Sequence, residues 1–355
     1  MAGRRTRFVL LSDTHNATPN GAFKLPKGDV LIHAGDLTNQ GSYKELKKTV
    51  EWIEKAEFEI KILIAGNHDI TLDTEFYAQN GHRFHNQDPQ DSAKCRALLE
   101  DSSIIWLQHE AKVISLNAAD EPHTRFKIFG SPLSPAKGLW GFGYTPAEAQ
   151  KLWDTIPLDV DIIVTHTPPY MHCDTSREGV ATGCKVLGDV LSQVRPRLAV
   201  CGHVHEGRGA EVVEWHLDLA SDGSKARSVR TWTDPACGNN KLSLVDLTAR
   251  RGQPLQNDGY IGDSNPTLRN AGAGNFQGKR LLKTDLSFDG FSLASSSAVA
   301  PYNAGHVPIS TTGREGRRET CVINAAIMAS SWPHGQDGKR FNKPIVVDID
   351  LPVWN

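Results

Sequence analysis

Short apolar runs recur through the first 205 residues of the chain, and each has the length of a strand that is buried on both faces. The runs are rich in Val, Ile, Leu or Phe and lie at Arg7–Ser12, Val30–Ala34, Ile60–Ala65, Phe126–Gly130, Val160–Thr165 and Arg197–Cys201. Helical patterns lie between several of these runs. Strands that alternate with helices predict an α/β domain.

Helix signals stand between the predicted strands. Ser42 with Glu45 three residues later is typical of a capping box, and apolar residues then follow on one helix face at Leu46, Val50 and Ile53. Thr145 and Glu148 form a second such pair, with Pro146 at the first helical position. Further helices are predicted at Cys95–Glu100 and Lys185–Val194.

The character of the chain changes after His205. Val212–Leu217 predicts one more strand, but residues 218–316 are rich in Gly, Asn, Ser, Arg and Pro and have weak periodicity. Apolar patterns return at Thr320–Ala329 and in an alternating terminal strand, Pro344–Leu351. We therefore expect one domain over residues 1–355, interrupted by a loop-rich insertion at about 218–316.

Composition narrows the class of protein. The 355 residues are 39% hydrophobic and 23% charged, with a net charge of −2, so no basic field indicates a nucleic acid or an anionic membrane as partner. The six Cys form no CxxC pair, which favours free thiols in a reducing compartment. Phe8–Leu11 is too short for a signal-peptide core, and no segment has the roughly 20 apolar residues of a membrane span. We expect a cytoplasmic protein, and the oligomeric state stays open.

Five polar strings follow the apolar runs and carry the candidate chemistry. They are Asp13-Thr-His15, Gly35-Asp36, Gly66-Asn67-His68-Asp69, Thr165-His166 and Gly202-His203-Val-His205. In open α/β sheets the loops beyond the carboxyl ends of the strands form the ligand crevice, so these side chains should converge. Carboxylate, amide oxygen and imidazole ligands together suit intermediate divalent ions such as Mn²⁺, Fe or Zn.

A pair of such metals predicts cleavage of phosphate esters. Two ions need a bridging anion, which a single Asp can supply, and they activate a hydroxide as nucleophile near neutral pH. His68 follows Asn67 but is not needed as a ligand, so it is the candidate general acid for the leaving group. Asp69 is then placed to orient the His68 imidazole.

Four side chains outside the strings are candidates for substrate contact. His172 lies on the loop that follows His166 and should overhang the metals. Trp140 and Phe142, together with Tyr144, could form an aromatic wall for a base or an aryl group. Core packing is an equally good interpretation of these aromatic residues.

The five strings, in this order, resemble the calcineurin-like metallophosphoesterase family. The resemblance implies a four-layer α/β/β/α sandwich with two central mixed β-sheets. It also implies one metal on Asp13, His15, Asp36 and His205, and a second on Asp36, Asn67, His166 and His203. Asp36 would bridge the two ions, and His68 would be the general acid.

A narrower resemblance covers roughly residues 7–216 and 320–352 and points to the brain-type metallophosphodiesterase subgroup. The matching stretches are Gly28–Asp36, Ile64–His68, Ile128–Pro132, Trp140–Phe142, Thr165–Pro169, Gly183-Cys184 and Gly202–Gly207. This subgroup implies Mn-supported hydrolysis of a small phosphodiester or nucleotide-like substrate. A phosphomonoesterase or protein phosphatase on the same centre stays open, as does a catalytically weak scaffold protein with the insertion as its binding arm.

Overall fold

A computed structural model describes residues 3–19, 21–117, 123–216, 225–257, 276–281, 316–329 and 338–354. The strands in these ranges are β1 (Gly3–Leu11), β2 (Val30–Ala34), β3 (Ile60–Ile64), β4 (Ile105–Trp106), β5 (Glu110–Ser115), β6 (Arg125–Ser131), β7 (Ser134–Pro135), β8 (Gly143–Tyr144), β9 (Ile162–Thr165), β10 (Leu198–Cys201), β11 (Gly209–Trp215), β12 (Ala226–Trp232), β13 (Ser243–Leu247), β14 (Phe276–Leu281), β15 (Glu319–Asn324) and β16 (Ile345–Pro352). The helices are α1 (Tyr43–Lys55), α2 (Thr74–Asn80), α3 (Ser92–Glu100), α4 (Ala149–Trp153) and α5 (Lys185–Val194).

Two mixed sheets form the centre of the fold. The first has six strands in the order β13-β16-β1-β2-β3-β4, and the second has eight in the order β14-β12-β11-β15-β10-β9-β6-β5. Strands β1, β2 and β3 are parallel neighbours, and so are β6, β9, β10 and β15. Each sheet therefore has one edge where several carboxyl ends meet, and the loops beyond those ends can form a common crevice.

Side chains that alternate along the strands divide the core into layers. Phe8 and Leu10 of β1 point into the core between the sheets, whereas Val9 and Leu11 join the cluster under α1 and α3. Phe8 meets Phe126 of β6 across the sheets at a ring separation of 5.4 Å. In the second sheet the residues facing outwards pack against α4 and α5. These layers confirm the predicted α/β/β/α sandwich.

The outer helices follow their sequence signals to different degrees. In α1 the predicted capping box forms, and α5 has the predicted bounds. The helix expected directly after Thr145 is wrong in its start, because α4 begins only at Ala149. The Glu148 carboxylate accepts hydrogen bonds from the Thr145 amide and hydroxyl, and this closes a turn that precedes the helix.

The first part of the predicted insertion contains regular structure. Strand β12 pairs with β11 and β14 in the second sheet, while β13 lies parallel to β16 in the first. The described part of residues 218–316 thus adds edge strands to both sheets, and the rest of that stretch lies outside the described residues. Alternating polar residues in β12 weaken its signal, because this antiparallel strand near the sheet edge exposes part of one face to water.

Membrane-spanning helices are absent from the described ranges: none is both long and apolar enough to cross a bilayer.

Candidate metal centre

The predicted ligands converge at one edge of the molecule. Asp13, Asp36 and Asn67 follow the carboxyl ends of β1, β2 and β3 in the first sheet. His166 and His203 follow β9 and β10 in the second sheet. Because the two sheets pack face to face, loops from both sheets meet above the core between them.

The loops that carry the ligands have unusual backbone geometry. Asp13, Asp36 and His203 have φ values of 56°, 54° and 67°, in the left-handed region, which is unfavourable by about 1–2 kcal/mol per residue for L-amino acids. The Asp13 amide donates to the Gly35 carbonyl at 2.9 Å, so the two loops hold each other in place. Backbone strain of this kind is concentrated at functional sites.

Glycine is required at two motif positions because side chains of neighbouring loops come very close to the backbone there. A Cβ at Gly202 would lie 1.9 Å from Oγ of Ser12, and one at Gly66 would lie 2.3 Å from Oδ1 of Asp36. No side chain fits at either position, which explains why glycine precedes Asn67 and His203 in the sequence strings.

The first group of ligand atoms comes from Asp13, His15 and His205, whose ligand atoms all lie within 4.8 Å of one another. Nε2 of His205 is 3.2 Å from Oδ1 of Asp13. Nδ1 of His15 donates to the Thr38 carbonyl at 3.1 Å, which leaves the lone pair on Nε2. That Nε2 is buried without a hydrogen-bond partner and is 3.6 Å from Oδ2 of Asp36, as expected for a metal ligand held by its other ring nitrogen.

The second group comes from Asp36, Asn67, His166 and His203. Nδ1 of His166 donates to the Ala34 carbonyl at 2.9 Å, and its Nε2 faces Oδ1 of Asn67 at 3.0 Å and Oδ1 of Asp36 at 3.3 Å. Nδ1 of His203 also lies 2.8 Å from Oδ1 of Asn67. Acceptor atoms that face one another in a buried place are unfavourable unless a proton or a metal cation lies between them. The donor set therefore fits a divalent metal.

The electrostatics of the two groups also favour a cation. Burial opposes ionisation of Asp36, but the imidazoles of His166 and His68 outweigh it and hold the pKa of this carboxyl well below its usual range. Burial likewise opposes the imidazolium of His166, yet the Asp36 carboxylate raises its pKa to about 9. Since metal ligands must be deprotonated, a bound divalent ion would take the place of this proton.

His68 lies beside both groups and is oriented by backbone. Its Nδ1 donates to the Asn39 carbonyl at 2.7 Å, and its amide donates to Oδ1 of Asp36 at 2.9 Å. The imidazole lies against the Trp140 ring, with 3.9 Å between centroids and 30° between planes. Nε2 is thus left for a reacting group.

Asp69 does not take the position that the sequence suggests. Its carboxylate is fully buried and accepts from the amides of Leu37, Thr38 and Gly66 and from the Thr38 hydroxyl, at 2.7–3.1 Å. Burial and the nearby Asp36 charge raise its pKa to about 6. Asp69 therefore joins the Asp36 loop to the Asn67 loop, and the Asn39 carbonyl orients His68 instead.

The candidate substrate contacts separate into different places. Trp140 lies against His68, and the Phe84 ring lies 5.5 Å from the Trp140 ring. Phe142 packs against the core cluster under α1, and Tyr144 is buried beside Trp153. His172 is 6% exposed, with its Nδ1 3.3 Å from Glu211, so the structure favours a packing role for it.

The sequence does not predict two backbone carbonyls and one aromatic ring that contribute to the site. The carbonyls of Thr38 and Asn39 orient two imidazoles, and Phe84 extends the aromatic surface of Trp140. Backbone carbonyls carry no residue signal, so nothing in the sequence strings could have identified the first two.

Comparisons with known proteins give a family match and several relatives. Residues 6–207 match the family described as calcineurin-like phosphoesterase. The chain is 39% identical over 213 residues to probable rhamnogalacturonate lyase C of Emericella nidulans, which covers 59% of this chain and 18% of that protein. It is 39% identical over 214 residues to metallophosphoesterase domain-containing protein 1 of Homo sapiens, covering 58% of this chain and 62% of that protein.

The chain thus matches less than two thirds of the length of either relative. Among solved structures, GAP50, the anchor in the inner membrane complex of Plasmodium, gives a TM-score of 0.32 at 12% identity, over 65% of this chain and 82% of that chain.

Proposed function

Because this chain belongs to the calcineurin-like phosphoesterase family, whose members hydrolyse phosphoric esters with divalent metals, we propose that its centre holds two such ions and cleaves phosphodiesters. Mn²⁺ is the proposed ion because the resemblance to the metallophosphodiesterase subgroup implies it. Fe or Zn are alternatives, since a mixed set of carboxylate, amide and imidazole donors suits all three. The substrate is a small phosphodiester or nucleotide-like molecule.

The observation that carries the proposal is the position of the Asp36 carboxylate between two groups of ligand atoms. Oδ2 faces Nε2 of His15 at 3.6 Å, and Oδ1 faces Nε2 of His166 at 3.3 Å. One oxygen is therefore available to each group, as a bridging ligand requires. The first ion would be held by Asp13, His15, Asp36 and His205, and the second by Asp36, Asn67, His166 and His203.

The residues divide the work of ester cleavage. When bound, the metals supply positive charge for the phosphoryl oxygens and lower the pKa of a water nucleophile. The protein fixes the ligands in advance through backbone acceptors such as Thr38 and Ala34. His68, held at Nδ1 by Asn39, offers Nε2–H to the leaving oxygen and so acts as the general acid.

The aromatic surface beside His68 supports a diester with a flat leaving group. Trp140 covers the imidazole that would protonate the leaving oxygen, and Phe84 continues this surface. A nucleobase or an aryl ring leaving from this side can stack on Trp140. A monoester such as a phosphoserine side chain would leave this surface unused.

A cytoplasmic location and the absence of nucleic-acid partners belong to the same proposal. All six cysteines are free thiols in the structure, which supports a reducing compartment. The net charge of −2 supports a small anionic substrate held by metals in preference to a polyanion held by a basic surface.

The test is a hydrolysis panel with the Mn-loaded protein. An aryl phosphodiester, an aryl monoester, cyclic nucleotides and single-stranded DNA are compared, and metal content is measured on the same preparation. We expect about two equivalents of metal and faster turnover of diesters than of monoesters. Asp36→Asn should lose metal and activity, whereas the surface variant Asp159→Asn should retain both. Faster monoester turnover would contradict the diester proposal, and absence of metal after reconstitution would support a scaffold.

A further inference from the structure

The residues that follow β15 connect the two sheets at the edge of the molecule where the predicted ligands converge, which we call the metal edge. The Ala325 amide donates to the Cys201 carbonyl at the end of β10, at 2.8 Å. Two residues later, the Ile327 amide donates to the Ser12 carbonyl at 2.9 Å, and Ala326 forms a parallel bridge with Ser12. Residues 324–327 therefore bind both the Asp13 loop of the first sheet and the His203 loop of the second.

The side chain of Asn324 is the buried polar group of this connection, with 0% exposure. Its Nδ2 donates to the carbonyls of Val204 at 2.8 Å, Cys173 at 3.0 Å and Gly202 at 3.4 Å. Its Oδ1 accepts from the Ala326 amide at 3.0 Å. Carbonyls on one side and an N–H on the other determine the orientation of the amide, and a carboxylate would bring a negative oxygen against three acceptors.

The carbonyls that Asn324 holds belong to the ligand loop itself. Gly202 and Val204 stand directly before His203 and His205, which carry ligand atoms of the two groups. The His203 amide donates to both oxygens of Asp13, at 3.1 and 3.0 Å, and His205 meets the same carboxylate. The position of this loop therefore sets where both imidazoles lie relative to Asp13.

We propose that Asn324 is a positioning residue of the metal centre, which acts by fixing the backbone of residues 202–205. It lies beyond residue 207, where the family match ends, so the centre depends on a strand outside the matched stretch. The side chain of Asn324 bonds to backbone groups, so it would act on the ligands through the loop that carries them. This proposal rests on the metal-binding function proposed above, and its test reads metal affinity and backbone exchange instead of turnover.

The chain offers a matched control in Asn257. This residue is 1% exposed, and its Nδ2 also donates to three carbonyls, those of Arg195 at 3.0 Å, Pro196 at 3.2 Å and Glu319. Those carbonyls lie at the amino ends of β10 and β15, opposite the metal edge. Replacing either Asn removes a buried amide donor next to β10 and β15, at opposite ends of these strands.

The experiment compares Asn324→Ala, Asn324→Asp and Asn257→Ala with the unmodified protein. Mn²⁺ affinity is measured by titration calorimetry, and amide hydrogen exchange of residues 202–206 is measured in EDTA. We expect both Asn324 variants to bind Mn²⁺ about 10- to 100-fold more weakly and to exchange faster at these amides. Asn257→Ala should lower the urea midpoint in EDTA by a similar amount but keep the unmodified affinity and exchange.

Unchanged affinity and exchange in a folded Asn324→Ala protein would overturn the proposal. Equal loss of affinity in Asn257→Ala would also overturn it, because the effect would then follow from stability alone. If Asn324→Ala does not fold, Asn324→Ser, which retains a smaller donor, is measured in its place and should bind Mn²⁺ with reduced affinity. Failure of the unmodified protein to bind Mn²⁺ would instead contradict the proposed function.

Discussion

The imidazole of His68 provides the most direct residue-scale test of the mechanism. It contacts Asn39, Asp36 and Trp140. The proposed assignment leaves it out of both sets of ligands, although its ligand atom also lies within 4.8 Å of those of His15 and Asp36. We expect His68→Ala to lower kcat by about 100- to 10,000-fold, the range of general acid catalysis, while bound metal is unchanged. Steady-state kinetics and metal analysis of the same sample check this.

The leaving group gives this prediction an internal control. An alkyl leaving group needs a proton more than a nitrophenyl group does, so the loss in His68→Ala should be larger for an alkyl diester. His82→Ala, on an exposed histidine, should behave as the unmodified protein. Loss of metal in His68→Ala would instead show that His68 is a ligand.

We expect Asp69 to stabilise the contact between the Asp36 and Asn67 loops and not to orient His68. Asp69→Asn places an amide against N–H donors, so we expect a free energy of unfolding lower by about 2–4 kcal/mol, together with weaker metal binding. The matched control is Asp174→Asn, another buried carboxylate that accepts from backbone amides, here of Met171 and Gly183. It should lose stability and retain metal affinity. A lower kcat with stability and metal unchanged would restore the orienting role.

At the residue scale, the sequence predicts where a side chain leaves a strand but not what it meets. All seven predicted ligands converge, because the end of a parallel strand determines their place. Asp69, Phe142 and His172 were also predicted to act at the site, yet Asp69 accepts from backbone amides, Phe142 packs against the core and His172 pairs with Glu211. Asn324 belongs to no motif and follows the loop-rich insertion, so its partners at Gly202 and Val204 become visible only in three dimensions.

At the scale of elements, helix α1 is tied to the first ligand loop through Glu45. One carboxylate oxygen accepts from the Ser42 amide in the capping box, and the other accepts from the side chain of Asn16, next to His15. Burial opposes ionisation, but the bonds from Asn16 and Ser42 outweigh it and hold the pKa of Glu45 below its ordinary value of 4.5. The ionised carboxylate thus stabilises both the helix start and the loop.

Glu45→Gln should therefore lower the free energy of unfolding at pH 7 by about 1–2 kcal/mol. Because the pKa is lowered on folding, this stabilisation is complete above pH 4.5 and is lost as the pH falls below it. Urea unfolding of the metal-free proteins at pH 7 and at pH 3.5 checks the difference, which should shrink at the lower pH. Glu51→Gln, on the exposed face of the same helix, should have no comparable effect. A difference independent of pH would rule out the charge as its cause.

The elements that the sequence predicts best are those in the centre of a sheet. Strand β2 has the predicted bounds because both of its faces are buried and its apolar run is unbroken. Strands β5 and β12 lie at or near sheet edges, where polar residues interrupt the pattern, and neither was predicted. Burial on two faces produces a strong signal, and contact with water on one face weakens it.

At the scale of the whole molecule, residues 257 and 317, which flank a long stretch of the chain, lie next to each other. Asn257 and Arg317 form an antiparallel bridge. Arg317 donates to the carbonyl of Val160, just before β9, and Asn257 holds the amino ends of β10 and β15. This place is opposite the metal centre, which lies at the carboxyl ends of the same strands.

Replacing residues 258–316 with Gly-Gly should therefore preserve the metal centre, because a two-residue turn can close an antiparallel pair. The change removes β14 and the buried Phe276, so we expect the free energy of unfolding to fall by about 3–5 kcal/mol. Mn²⁺ affinity and diester turnover should stay within about threefold of the full chain, because distant sites act independently. Urea unfolding, Mn²⁺ titration and diester kinetics of the two proteins measure these quantities. A folded deletion protein that binds Mn²⁺ normally but has lost diester turnover would show instead that the removed stretch reaches the substrate.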